Sequence, residues 1–275
     1  MAISQSALSR RIQKLEEALG VTLLERTTRS VKLTLAARSF RDRAEAMVRQ
    51  AEEAQQAIGD DTARFAFQRN QIVTVAAVPT ATRSLLPYAI QAFRQTGFDG
   101  RIRINDLSAN GVLEAVAEGD ADFGVNFIGG QEPGLDFRLL ADDPFVLAVP
   151  RGGPEDLDGP VQWAEIDPAR FVAVWKGSGN RMLIDSALAQ ARQTVPWAYE
   201  VRHLSTALGL VEAGLGVTAV PASAMPGEDH PLIRARPLVD PVVTRTVGAV
   251  RRAGARLSTA AEAFYATLVA GVSER

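Results

Sequence analysis

Apolar residues recur along this chain with two different periods, and the change between them divides it. Leu8, Ile12, Leu15 and Leu19 are spaced four, three and four apart, which makes one stripe of an amphipathic helix. Ser4 is a suitable N-cap for that helix and Gly20 a left-handed stop. Leu23 and Leu24 follow as core residues, and Arg26, Arg29 and Lys32 then surround a Thr-Thr-Arg-Ser turn that reads as a short basic hairpin. Residues 34–58 read as one long helix with Thr34 as its N-cap. Along it Phe40, Ala44, Met47, Ala51, Ala54 and Ile58 alternate spacings of four and three. That is a heptad seam, suited to pairing with a second copy, and its small alanines favour close approach. A one-faced surface helix is the alternative. GDDTARFAFQRN (59–70) breaks both the period and the composition, as a hinge would.

From Ile72 the pattern becomes short β-branched runs alternating with helical stretches. Strands are expected at 72–78, 101–107, 121–127, 144–149, 171–175, 197–202, 216–220 and 244–251. Helices are expected at about 84–96, 110–118, 178–192, 204–213 and 257–270. This alternation predicts parallel sheets covered on both faces. PRGGPEDLDGP (150–160) marks a crossover between two α/β lobes. The expected organisation is a helix–hairpin segment over 1–33, a linker helix over 34–58, a hinge over 59–70 and a two-lobe domain over 71–275. Lobe 1 would hold 71–149 and 242–275, and lobe 2 would hold 150–241.

Charge sharpens this division. The net charge is −2, yet residues 1–43 carry nine Lys/Arg against four Asp/Glu, while the remainder carries 21 against 28. A basic head on an acidic body points to a polyanion as the head's partner, with a solvated helix face as the bland alternative. The helix's outer face mixes Gln5, Ser6, Ser9, Arg10, Gln13 and Lys14, groups that reach base edges and phosphates in a major groove. A helix followed by a basic β-turn is the second half of a winged helix-turn-helix; an amphipathic helix and hairpin packed elsewhere would look similar. With no cysteine, disulfides, zinc ribbons and thiol catalysis are excluded. No run has the length of a membrane helix and no signal-peptide layout is present, so a cytoplasmic location is expected.

ISQSALSRRIQKLEEALGVTLLERTTRSVKLT (3–34) resembles the LysR-type family of bacterial transcriptional regulators. The resemblance rests on the S-Q-x-A-L-S-R helix, the L-E-x-x-L-G exit, the L-x-E-R segment and the R-x-V-x-L-T wing. It implies that Gln5, Ser6, Ser9 and Arg10 face DNA in the major groove, with Arg29 and Lys32 on the wing and Lys14 on the same outer face. It also implies dimerisation through the linker helix, as a homodimer or homotetramer, and a two-lobe effector domain resembling a type 2 periplasmic binding protein. Double-stranded promoter DNA, a small-molecule effector and RNA polymerase would be the partners, and no membrane. The sequence departs from the family at its start, where Met1-Ala2-Ile3 stands at the expected end of a second helix. The recognition helix's apolar stripe would then lack its usual cover, each such side chain being worth about 1.5–3 kcal/mol when buried. This keeps open an alternative, a soluble small-molecule-binding module that has lost DNA binding through N-terminal truncation.

Ligands of open α/β sheets sit beyond the carboxyl ends of strands. That rule selects Thr80 and Thr82 after the first strand, and Asn126 and Phe127 at the end of ADFGVNF. In lobe 2 it selects Lys176, Ser178 and Asn180 before one helix, and Ser205 and Thr206 opening the next. Helix capping alone would also account for any single Ser or Thr among them. The resemblance strengthens the first loop, where the family places a Ser or Thr against its effector. Helix N-termini and Lys176 suggest an anionic effector. Other chemistry finds no support. GLGVTA (214–219) has the dinucleotide spacing but follows a helix and precedes a strand, the reverse of what that fingerprint needs. His203 and His230 are the only histidines and lack metal-ligand spacing, and Ser178 lacks the nucleophile elbow. No cofactor, no metal and no catalytic residue is expected.

Overall fold

The apolar stripe and glycine stop at the head of the chain form helix α1 (Gln5–Leu19), ended by Gly20 at φ +67°. Glu16 ties its last turn to the hairpin, accepting from the Leu23 amide at 2.6 Å and the Leu24 amide at 3.0 Å. Strands β1 (Leu24–Arg26) and β2 (Val31–Leu33) pair antiparallel with Leu24 opposite Leu33 and Glu25 opposite Lys32. Leu23 and Ala37 are buried, whereas Leu8, Leu15 and Leu19 are 51%, 40% and 40% exposed. Thr34 caps the next helix, accepting from the Ala37 amide at 3.1 Å and donating to the Thr22 carbonyl at 2.8 Å. Residues 35–38, 40, 41, 44, 47 and 48 are helical. The structure, a computed structural model, describes residues 5–26, 31–38, 40, 41, 44, 47, 48, 72–127 and 132–272. Ala51, Ala54, Ile58, the 59–70 hinge and Arg29 therefore lie outside the described residues.

The chain divides into two compact units, residues 1–70 and 71–275. In the second unit β3 (Ile72–Ala77) runs parallel to both β4 (Arg101–Asp106) and β5 (Phe123–Asn126). Helices α2 (Pro79–Ser84), α3 (Leu86–Gln95) and α4 (Ala109–Glu118) connect them. Ser108 caps α4 by accepting from Gly111 N, and Gly119 ends it in the left-handed region at φ +79°. The helix lies so close to β5 that a Cβ on Gly124 would stand 2.7 Å from Val112 Cγ1. Only glycine fits there.

The long strand β6 (Leu135–Pro150) leaves this lobe and enters the other. Lobe 2 adds β7 (Val161–Gln162), β8 (Val172–Val174), helix α5 (Gly179–Gln190), β9 (Tyr199–Val201), helix α6 (Leu204–Glu212), β10 (Thr218–Pro221) and β11 (Ile233–Val239). The chain returns through β12 (Thr244–Arg252) and ends with α7 (Thr259–Val272) against α3. The strand order is β4-β3-β5-β12-β6-β11-β7, with β10 also on β6; β8 and β9 pair parallel beside it. Each lobe has its own core. Lobe 1 stacks Phe93 on Phe264 at 4.7 Å with Phe123 edge-on, while lobe 2 packs Phe145, Leu147, Trp163, Phe171 and Ile184.

Two expectations need correction. The sheet is mixed rather than parallel: β12 runs antiparallel to β5 and β6, and β10 and β11 run antiparallel to β6. The chain crosses between lobes twice, and two strands that traverse in opposite directions meet antiparallel. Second, β11 and the first half of β6 escaped the sequence reading. Arg234, Arg236 and Pro237 interrupt the one, and Asp136, Arg138, Asp142 and Asp143 the other, so neither resembles an apolar run.

Candidate functional site

Both crossings pass through one rung of the sheet, where Asp143 of β6 lies directly opposite Arg245 of β12. Alternation puts Asp143 on the buried face with Phe145 and Leu147, and Arg245 on the buried face with Val247. The two side chains form an ion pair, Arg245 Nε donating to Asp143 Oδ2 at 3.0 Å and Nη2 to the same oxygen at 2.7 Å. Arg245 is 2% exposed. Burial pushes its pKa down, and the Asp143 charge and hydrogen bond oppose that shift.

The same guanidinium reaches both lobes. Nη2 donates to Thr80 Oγ1 at 2.7 Å, at the start of α2 in lobe 1. Nη1 donates to Asn180 Oδ1 at 2.8 Å, at the start of α5 in lobe 2. Ser223, in the 3₁₀ turn Ala222–Ala224 after β10, closes the ring. Its amide and hydroxyl donate to Asp143 at 3.0 and 2.6 Å, and its oxygen lies 3.3 Å from Nη2. The ring of Phe127 lies 4.5 Å from the guanidinium carbon, in cation–π range. A Cβ on Gly179 would stand 3.0 Å from Phe127 Cε2, so the first turn of α5 closes directly onto lobe 1. Arg83 adds a bond from α2 to the Ala224 carbonyl at 3.2 Å. A buried guanidinium needs a carboxylate and further acceptors to offset desolvation, and this one has both.

The residues selected from sequence separate accordingly. Thr80 and Phe127 of lobe 1 and Asn180 of lobe 2 meet at Arg245. Asn126 is buried beside them but serves its own loop, donating to the Ala109 carbonyl and accepting from the Phe127 amide, each at 2.8 Å. Thr82 donates to the Val78 carbonyl within its helix. Ser178 is the N-cap residue of α5, its side chain making no cap bond, and Lys176, Ser205 and Thr206 are exposed. Arg245, Asp143 and Ser223 were missed, although the in-phase placement of Arg245 with Val247 and of Asp143 with Phe145 was visible in the alternation. Among the described residues no group of His, Cys, Asp and Glu could hold a metal ion.

At the head of the chain, Arg10, Lys14 and Lys32 are exposed, and Ser9 is half-buried on α1. Gln5 and Ser6 form its first turn. Met47 is 67% exposed, and Phe40 and Ala44 are half-buried.

Comparison with known proteins gives concordant results for both units. Residues 1–38 match the bacterial regulatory helix-turn-helix protein, lysR family, and residues 68–273 match the LysR substrate binding domain. The chain is 42% identical over 267 residues to the uncharacterized HTH-type transcriptional regulator YbhD of Escherichia coli (strain K12), covering 97% of this chain and 83% of that protein. It is 31% identical over 221 residues to the Hca operon transcriptional activator HcaR of the same organism, covering 79% and 73%. Among solved structures, a full-length OxyR variant from Pseudomonas aeruginosa shares the fold with TM-score 0.74 at 23% identity, covering 97% of this chain and 86% of that one. CbnR complexed with its target DNA does so with TM-score 0.62 at 23% identity, covering 98% and 91%. The helix-turn-helix match at the head favours a regulator over a module that has lost DNA binding. The chain belongs to the LysR family, a LysR-type DNA-binding transcriptional regulator with a two-lobe effector-binding domain.

Proposed function

We propose that this regulator reads double-stranded promoter DNA through Gln5, Ser6, Ser9, Arg10 and Lys14 on α1, with Arg29 and Lys32 on the wing. Phe40, Ala44, Met47, Ala51, Ala54 and Ile58 pair two copies along the linker helix, giving a homodimer or homotetramer that presents two recognition helices to two half-sites. A small-molecule effector enters the crevice between the lobes and shifts the balance between arrangements of the assembly, altering DNA bending and contact with RNA polymerase. The convergence of Thr80, Phe127, Asn180, Asp143 and Ser223 on Arg245 supports the crevice as the effector site. Thr82, Lys176, Ser178, Ser205 and Thr206 extend this proposed site, Asn126 supports it from beneath by holding the Phe127 loop, and the exposed Lys176 favours an anionic effector. The relatives are transcriptional regulators, and the chain acts in the cytoplasm without catalysing a reaction. No helix among the described residues is long and apolar enough to cross a membrane.

The test is a gel shift with the DNA upstream of the protein's own gene, run over a range of salt. Wild type is expected to prefer that fragment over random duplex. Arg10→Ala should lose the preference, and Lys14→Ala should weaken binding to both DNAs while lowering the salt slope by about 0.9 per phosphate contact removed. Equal binding of wild type to promoter and random DNA at every salt concentration would overturn the assignment.

A further inference from the structure

We infer that Arg245 is an internal occupant of the crevice, a clasp whose side chain holds the two lobes shut and which any entering ligand must release from Thr80 and Asn180. The inference rests on reading the crevice as the effector site and concerns how that site is gated.

Four observations carry it. The guanidinium stands where the two lobes meet, bonded to the first turn of a helix in each: Thr80 at 2.7 Å and Asn180 at 2.8 Å. Phe127 covers its face, and Gly179 packs against that same ring, so little room is left beside it. Its charge is compensated at the rung it springs from, because Asp143 lies opposite in the sheet rather than on a mobile lobe. The two arms that span the lobes end on neutral oxygens.

That division of partners makes the clasp reversible. If the lobes part, Arg245 keeps its carboxylate and gives up only neutral acceptors, Thr80, Asn180 and the longer 3.3 Å contact to Ser223, so no buried charge is stranded. The position also disfavours permanent closure. A cation set against the first turn of α5 faces the positive end of that helix, and an acceptor-rich ligand there would relieve the mismatch. Ser223 reinforces the closed form, since its amide and hydroxyl fasten lobe 2 to the same Asp143.

The experiment exploits the absence of cysteine from the chain. Gln91→Cys on α3 of lobe 1 and Ser186→Cys on α5 of lobe 2, both exposed, carry a pair of spin labels in the full-length protein. With the labelled chain diluted in an excess of unlabelled protein, so that each assembly carries one labelled copy, pulsed dipolar spectroscopy is expected to give a single narrow distance for the wild-type background. Thr80→Val combined with Asn180→Leu removes both arms and leaves the Asp143 pair, and should give a longer, broader distribution. Thr80→Ser, which keeps the hydroxyl, should remain narrow. An unchanged distribution in the double variant would overturn the clasp. Should that double variant fail to fold, amide exchange in each single variant decides the matter. Exchange at 179–182 and 222–224 should rise about tenfold, the loss of roughly one hydrogen bond's worth of protection, and unchanged exchange counts against the inference. None of these readouts involves DNA. A chain that ignores its promoter yet opens on losing the arms defeats the regulator assignment alone, and one that binds its promoter yet stays shut defeats the clasp alone.

Discussion

Strand β6 is flanked by two strands that each bury an arginine, and the two are satisfied in opposite ways. On β12, Arg245 finds a carboxylate across the rung and two side-chain acceptors, one from each lobe. On β11, Arg236 finds main-chain carbonyls alone: Gly159 at 3.2 Å, Glu155 at 3.0 Å and Pro160 at 3.2 Å, all from one loop of lobe 2. Burial therefore does not distinguish a working cation from a structural one. The provenance of its acceptors does. Carbonyls from a single contiguous loop make Arg236 a staple for residues 150–160, a lobe 2 loop after the β6 crossing that is rich in proline and glycine and has little regular structure of its own. Side chains gathered from distant segments make Arg245 a junction.

The largest expected effect is at the junction. Arg245→Met leaves Asp143 buried without its cation and should cost about 3–5 kcal/mol in urea unfolding. Combining it with Asp143→Asn removes the stranded charge, keeps an acceptor for Ser223, and should recover more than half of that loss. If the pair of substitutions is as damaging as the single one, the cost lies in the lobe-spanning bonds instead. A smaller effect, about 1–3 kcal/mol, is expected for Arg236→Met, together with faster amide exchange confined to 155–160. The spin-label distance between lobes should not move in that variant; a shift would erase the contrast between staple and junction. Arg83→Ala is the mildest case. It removes one bond from an exposed side chain to the Ala224 carbonyl, and should cost about 1 kcal/mol or less in the same unfolding assay.

Much of the fold was legible because period and punctuation agreed. The α1 stripe with Gly20, the Thr34 cap and the β3 run with Pro79 each carried two independent signals. The strand-end rule reached Thr80, Phe127 and Asn180 for a topological reason, since each lies beyond the carboxyl end of a strand with a parallel neighbour: β3 and β5 in the main sheet, and β8 in its own pair with β9. It passed over Arg245 and Asp143 because both sit within strands rather than beyond them. Alternation could mark each as a charge on a buried face, but their meeting depends on register, which pairs residues 102 positions apart and which no local pattern encodes. The first half of β6 was hidden for a related reason. Its outward charges face solvent or partner strands, so the hydrophobic contrast that announces a strand is diluted. Asn126 shows the converse limit: its position at a strand end was read correctly, while its amide is engaged with Ala109 and Phe127.

The two crossings between lobes, β6 and β12, are bonded to each other at the rung where they pass, from Thr244 opposite Pro144 onward. Separate tethers would let the lobes twist and slide as well as swing. Cross-linked ones behave as a piano hinge, confining relative movement to rotation about a line through that rung. The lobe tips then travel far while the rung itself stays nearly still.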